Sequence, residues 1–464
     1  MIVIPRGLAR AFRAVARKCV SGRPRGPAPA VVLEVKASTL ALWTQIDDAV
    51  MVYTTPTTGH DERVIVPMGV LEAVEGSGNE PVELTIGPKL QGVARWSSRG
   101  VPQTHPFDAV LPGKQHQLPD PPSDWRLVSS AFLSALHECG RSASKDPTRY
   151  ALNRIQVRGA DGRVIGTNGK TALLWGGFDL PFVENLLVPA VPVFGSREMT
   201  SGGTIRVGRT PKHLVVESGS WRVCLSIDPG GRFPDVGGVV PKNSPTVAGI
   251  DERDAVELLG ALPGLPVSDE EYRPVTVDLN GGVVVSARDE TSGAVQEVRL
   301  VRSPSAGPSA VFAIDRRVLA RALELGCVTL GYTPDRPIVF EGGDKTFVAA
   351  ALEPGLIVRS TTPVPQARNA LPLPTPERKP PVKPHESNGH PPSGQTPNAR
   401  HDPPPDTVDP LVAAEELRAA LADAAVKASR LVAALKSQKK EKKVLRDVWA
   451  GLKQVFQQFT FVYH

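Results

Sequence analysis

Aromatic side chains make up only 5% of the 464 residues, although hydrophobic residues of all kinds reach 41%. Burial therefore falls to valine, alanine and leucine, a composition that suits several small β-rich cores better than one large enzyme-like core. Cysteine is scarcer still: Cys19, Cys139, Cys224 and Cys327 lie far apart and form no Cys-x-x-Cys pair. Neither a zinc site nor a thiol redox motif is expected, and a reducing cytoplasm is the natural compartment. No apolar stretch is long enough to span a bilayer. The N-terminal MIVIPRGLARAF places apolar residues ahead of its arginines, the reverse of a signal peptide, so no membrane partner is expected. His60, His105, His116, His137 and His213 show no metal-ligand spacing, and no nucleophile elbow or paired-acid motif occurs. GTNGKT invites comparison with a phosphate-binding P-loop, but that loop's first glycine would fall at Val164, so a turn between strands is expected. Gly281-Gly282 likewise reads as a hairpin turn. No catalytic residue, cofactor or metal is expected.

What is present is length, repetition and a modest positive charge. A chain of 464 residues suggests about three domains. Its net charge of +6 permits an anionic partner without demanding one. Up to residue 361, short amphipathic helices alternate with Val-, Ile- and Thr-rich strands. Residues 362–410 form a proline-rich linker in which fixed dihedrals and missing amide donors prevent a packed core, so the segment is expected to be disordered. Residues 411–464 are rich in helix formers, and Leu417, Leu421, Ala424, Ala428, Leu431 and Leu435 follow the four-three spacing of a coiled-coil seam. KSQKKEKK, from Lys436, is either a solvated charge run or an added source of non-specific DNA affinity.

The first 361 residues repeat one plan three times. Each third opens with a helix, PRGLARAFRAVARKC from Pro5, VSSAFLSALHEC from Val128 and DERDAVELLGAL from Asp251. Each has a second helical segment, PMGVLEAVEG from Pro67, PAVPVFGSREM from Pro189 and DRRVLARALELG from Asp315. Period-two strands with glycine-rich turns fill the spaces. The expected fold is α+β: three repeated domains, 1–125, 126–242 and 243–361, each with two helices packed on small antiparallel sheets.

The first helix carries a core stripe of Leu8, Phe12, Val15 and Cys19, with Arg6, Arg10, Arg13 and Arg17 about opposite. Residues 1–26 contain no acidic side chain, so the arginine stripe has no neutralising acid nearby in sequence. It reads either as a phosphate-contacting surface or as a solvated helix face. The second domain ends in RFPDVGGVVPKN, residues 232–243, which resembles the junction signature of the bacterial DNA polymerase sliding clamp family. RYALNRI from Arg149 resembles that family's Arg-x-x-Leu-Asn-Gly strand, and TNGKTAL from Thr167 is similar to its Thr-Asp-Gly-His-Arg-Leu turn. The motifs occur in the family's order, and the similarity spans about residues 1–353.

The resemblance implies a non-catalytic head-to-tail homodimer of clamp-fold subunits, closed into a ring around double-stranded DNA, that makes a replicative polymerase processive. Such a ring touches phosphates without reading bases. Arg23 falls at a DNA-contacting arginine of the family and Tyr150 at a tyrosine near the DNA exit, beside Arg6, Arg10, Arg13 and Arg17. The family's pocket for peptides from DNA polymerase and clamp loader subunits would comprise Leu152, Thr167, Gly169, Lys170, Thr171, Ala172, Pro234, Val239, Val348, Ala350, Ala351 and Leu352. Lys170-Thr171-Ala172 replaces the usual His-Arg-Leu, Gly238 replaces a pocket arginine, and Ala350-Ala351-Leu352 stands where the family carries methionines. Losing methionine removes adaptable apolar surface, so ordinary ligands should bind less well. Read without the resemblance, the same residues are sheet edge and interdomain packing. Asp251, Glu252, Asp254 and Glu257, with Glu72 and Glu75, put acids on helices that should be basic or neutral if they line a DNA hole. QFTFV, residues 458–462, is similar to the short peptides that such clamps bind; it either occupies the chain's own pocket or packs on the tail's helices. A scaffold that keeps the fold and assembles through its tail without encircling DNA is the alternative reading.

Overall fold

The computed structural model describes residues 1–20, 29–114, 116–145, 151–269 and 271–358. They fall within one compact unit, Met1–Leu373. The expected linker and helical tail, with the Lys436 charge run and residues 458–462, lie outside the described residues.

The described chain runs through one element order three times, with one short strand added between the two helices of the third repeat. The first repeat is β1 (Ile2–Pro5), α1 (Arg6–Arg17), β2 (Ala30–Lys36), β3 (Thr39–Ile46), β4 (Ala49–Pro56), β5 (Glu62–Pro67), α2 (Met68–Val74), β6 (Pro81–Ile86), β7 (Gln91–Ser98) and β8 (Val101–Asp108). The second is β9 (Trp125–Val128), α3 (Ser130–Ser142), β10 (Arg154–Arg158), β11 (Arg163–Thr167), β12 (Thr171–Trp175), β13 (Asn185–Pro189), α4 (Arg197–Thr200), β14 (Ile205–Arg209), β15 (His213–Ser218) and β16 (Trp221–Ser226). A short connecting helix, α5 (Val236–Val239), precedes the third. That repeat begins with β17 (Thr246–Gly249), α6 (Glu252–Ala261), β18 (Pro274–Asp278), β19 (Val283–Arg288), β20 (Val295–Leu300) and β21 (Ser305–Ala306). It ends with β22 (Val311–Asp315), α7 (Arg316–Glu324), β23 (Thr329–Tyr332), β24 (Ile338–Gly342) and β25 (Lys345–Ala349).

Local chemistry sets these boundaries. Pro5 and Pro67 stand extended immediately before α1 and α2, where a residue without an N–H costs no helical bond. Asp251 caps α6 by accepting from the Arg253 and Asp254 amides, and Asp315 caps α7 by accepting from Arg317. Leu8, Phe12, Val15 and Cys19 are buried, as the helical spacing predicts. One expected helix differs. PAVPVFGSREM forms a 3-10 turn over Pro192–Gly195 and then the single turn of α4, because Pro189 and Pro192 withhold amides and Gly195 favours a break. GTNGKT is the β11–β12 hairpin, with Gly169 at φ +87°. At Gly166 a side chain would meet the Cys139 carbonyl, so only glycine lets α3 lie this close to β11.

Antiparallel ladders join the repeats. One eight-stranded sheet, β5-β2-β3-β4-β16-β15-β14-β9, spans the first and second repeats through β4·β16. A nine-stranded sheet, β13-β10-β11-β12-β25-β24-β23-β17-β21, spans the second and third through β12·β25. Four-stranded sheets remain at either end, β1-β6-β7-β8 and β20-β19-β18-β22. Among the described residues no helix is long and apolar enough to cross a membrane, and no group of three or more His, Cys, Asp or Glu could hold a metal ion.

Candidate nucleic-acid interface and peptide cleft

The arginine stripe of α1 divides in two. The Arg13 side chain is only 6% exposed and forms ion pairs with Glu72, at 2.9 Å, and with Glu75, both on or just after α2. Arg6 donates from Nε to the Val74 carbonyl and from Nη2 to the Glu75 carbonyl, each at 3.1 Å, closing the C-terminal end of α2. The expectation that the stripe lacks neutralisation is corrected here: the acids arrive from α2, far along the chain. Arg10 and Arg17 are exposed and make no ion pair among the described residues. Arg23 and Tyr150 lie outside the described residues.

Two of the four acids at α6 are structural. Asp251 is the helix cap. Asp254 is buried and accepts from the Ser303 hydroxyl at 2.7 Å, the Arg302 amide at 2.8 Å and the Arg302 guanidinium at 2.6 Å. Glu252 and Glu257 remain exposed. On α7, Arg316 is buried against the carbonyls of Leu262, Leu265, Pro266 and Arg273, while Arg321 pairs with Glu138 of α3 and ties the second repeat to the third.

Most of the expected cleft residues converge where β12 meets β25. Ala172 lies opposite Val348 in the ladder, and Thr171 opposite Ala349. The Ala350 amide donates to the Lys170 carbonyl at 3.0 Å. The Thr167 hydroxyl donates to the Thr171 carbonyl at 2.7 Å and accepts from the Gly169 amide at 3.1 Å, which fixes the turn beside Leu152. Ala151 donates to the Arg232 carbonyl, drawing residues 232–240 alongside. Val236 then packs with Ile165, Ala172, Leu174 and Val348, and Phe233 and Val240 lie against this cluster. Pro234 is half-buried, while Val239 stays 49% exposed at the rim. The Lys170 ammonium sits 5.5 Å from the centre of the Tyr272 ring, across in the third repeat. Ala351 is exposed, and Leu352 is tied by its amide to the Ala313 carbonyl of β22.

A cavity of about 790 Å³ beside this segment was not anticipated. It is lined by Phe233, Pro234 and Asp235 together with Gln156, Glu184 and Arg209, residues from four separate stretches of sequence. All four cysteines are buried, and burial pushes the Cys19 and Cys224 thiols up to about 12 and Cys327 to about 11. Cys139 is raised further by the same cause. Each thiol is therefore held protonated at neutral pH.

No family model and no curated protein matches the chain. Among solved structures, it is similar to the DnaN sliding clamp (DNA polymerase III subunit beta) of Pseudomonas aeruginosa bound to griselimycin, with 15% identity, a TM-score of 0.61, and coverage of 76% of this chain and 99% of that one. The C. crescentus beta sliding clamp gives 17% identity and a TM-score of 0.62 over 76% and 98% of the two chains. The Borrelia burgdorferi DNA polymerase III subunit beta gives 12% and 0.62 over 76% and 97%. The described chain has the fold of these proteins, at a sequence distance that marks it as divergent.

Proposed function

We propose that the chain is a non-catalytic sliding clamp: two copies, joined head to tail, enclose duplex DNA and hold a replicative DNA polymerase on it in the cytoplasm. The observation that carries this reading is the pair of open strands. Inside the chain, the third strand after the first helix of one repeat always pairs with the last strand of the next, as β4·β16 and β12·β25. The same rule leaves β20 and β8 as the unmatched pair, at the ends of the two four-stranded sheets. Two copies satisfy it reciprocally, with three domains each, 1–125, 126–242 and 243–361. The inner surface would contact phosphates through Arg10 and Arg17, with Arg23 and Tyr150 contributing as the family resemblance implies. Arg6 and Arg13 then shape that surface by holding α1 on α2. The cleft around Ala172, Val236 and Val348 would take polymerase and clamp-loader peptides, with small side chains in place of methionine.

Duplex binding tests the reading. The full-length protein should bind DNA of any sequence with an affinity that falls steeply as salt rises. Arg10→Glu with Arg17→Glu should weaken every duplex alike, by tenfold or more, and flatten the salt slope by about 1 for each phosphate no longer touched. The scaffold reading is favoured by one observation, the engagement of Arg6 and Arg13 by α2. Under that reading the double substitution leaves duplex binding unchanged.

A further inference from the structure

Both seams inside the chain follow one hydrogen-bonding pattern. In β4·β16, Thr54 donates to the Ser220 carbonyl and Ser226 to the Asp48 carbonyl, so Ser220, Arg222, Cys224 and Ser226 face the seam. In β12·β25, Gly176 donates to Asp344 and Ala350 to Lys170, so Asp344, Thr346, Val348 and Ala350 face it. Each series begins at the second residue of the two-residue turn that opens the last strand. Every member carries an amide N–H.

β8 opens from the same kind of turn, Arg99-Gly100. Its polarity is fixed at the far end, where Ala109 donates to the Leu90 carbonyl on the β7 side and Val110 donates away from β7, to Ile65. Alternation along the strand then turns Gly100, Pro102, Thr104 and Pro106 toward the open edge. Two of these four equivalent positions have no N–H to give. All of Pro102, Thr104 and Pro106 are exposed. On β20, Asp289 of the adjoining β19 side donates to the Ala294 carbonyl, so Val295, Glu297 and Arg299 face outward, each with its N–H intact.

We propose that Pro102 and Pro106 withhold two of the backbone amides that a β8·β20 seam would otherwise use, so that two copies of this chain join there by fewer hydrogen bonds than hold β4·β16 or β12·β25. The occupant of the β8 edge is the β20 strand of a second copy. The inference rests on the ring reading above. Both prolines keep their carbonyls, so β20 can still donate to them; pairing is weakened and not forbidden. Between closures, the same prolines blunt an otherwise open edge against unrelated strands. Charge does not substitute for the missing bonds, since Glu297 and Arg299 already pair with each other at 2.9 Å.

Sedimentation equilibrium of the full-length protein tests this with two substitutions. Pro102→Ser with Pro106→Ser restores both amides at exposed positions and should lower the dimer dissociation constant by tenfold or more, with each single change giving a smaller effect. Glu297→Pro removes an outward amide from β20 and should raise the constant in either background. If Glu297→Pro weakens the dimer but the serine variants do not tighten it, the inference about the prolines is wrong and the ring reading stands. If Glu297→Pro leaves the dimer intact, the copies meet elsewhere, through the tail for example, and the ring reading fails together with the inference.

Discussion

Arg13 separates what a residue type announces from what its surroundings make of it. Helical spacing puts it in one stripe with Arg6, Arg10 and Arg17, and that much was legible. Its two acidic partners were not, because they lie on a helix reached only after four strands, and a stripe seen in sequence carries no record of what packs across it. The presence of Glu72 and Glu75 on the companion helix was the available signal. The two halves of the stripe therefore respond differently to substitution. Arg13→Ala removes a buried guanidinium with its packing and both ion pairs, while Glu72 and Glu75 keep access to water, and should cost about 1.5 kcal/mol of stability. Arg10→Ala, at an exposed position with no ion pair among the described residues, should stay within about 0.5 kcal/mol. Urea unfolding of the two variants checks both. Equal losses would mean that Arg13 is not held as described.

At the level of elements, proline and aspartate marked the helix starts well, and period-two runs marked the strands. The second helix of the second repeat failed as a continuous helix because prolines and a glycine interrupted a run otherwise rich in apolar residues. The acids of α6 illustrate the same limit in electrostatics. In sequence they argue against a DNA-facing helix; in the fold Asp251 caps the helix and Asp254 fastens it to the chain after β20. Burial alone would raise the Asp254 carboxyl, but hydrogen bonds from Ser303, the Arg302 amide and the Arg302 guanidinium outweigh it and hold the group below the usual carboxylate range. A folded-state value below the unfolded one means stability that is complete above the unfolded value, near about 4, and that is lost as pH falls through the folded value. Asp254→Asn keeps one acceptor oxygen but loses the charge that strengthens these hydrogen bonds, and should cost about 1 kcal/mol at neutral pH. Melting temperatures of the two proteins should converge as pH is lowered below about 4. A gap that stays constant into strong acid would contradict the assignment.

For the whole molecule, threefold repetition was the most legible feature, because each repeat writes the same alternation of helix and strand; the several small cores suggested by composition are instead one continuous cluster from Ile2 to Ala349 with two small satellites. The cleft was legible in part: the turn at Thr167–Ala172 and the segment from Phe233 could be placed together only through a family resemblance, since no local pattern links them. The seam rule could not be read at all without hydrogen-bond directions. That rule makes a topological claim, which nicked circular DNA tests. Protein assembled on circles with a clamp loader should remain bound at a salt concentration that releases simple electrostatic binding, and should run off when the same circles are cut once. Retention on cut DNA, or release from intact circles at that salt, would contradict a closed ring.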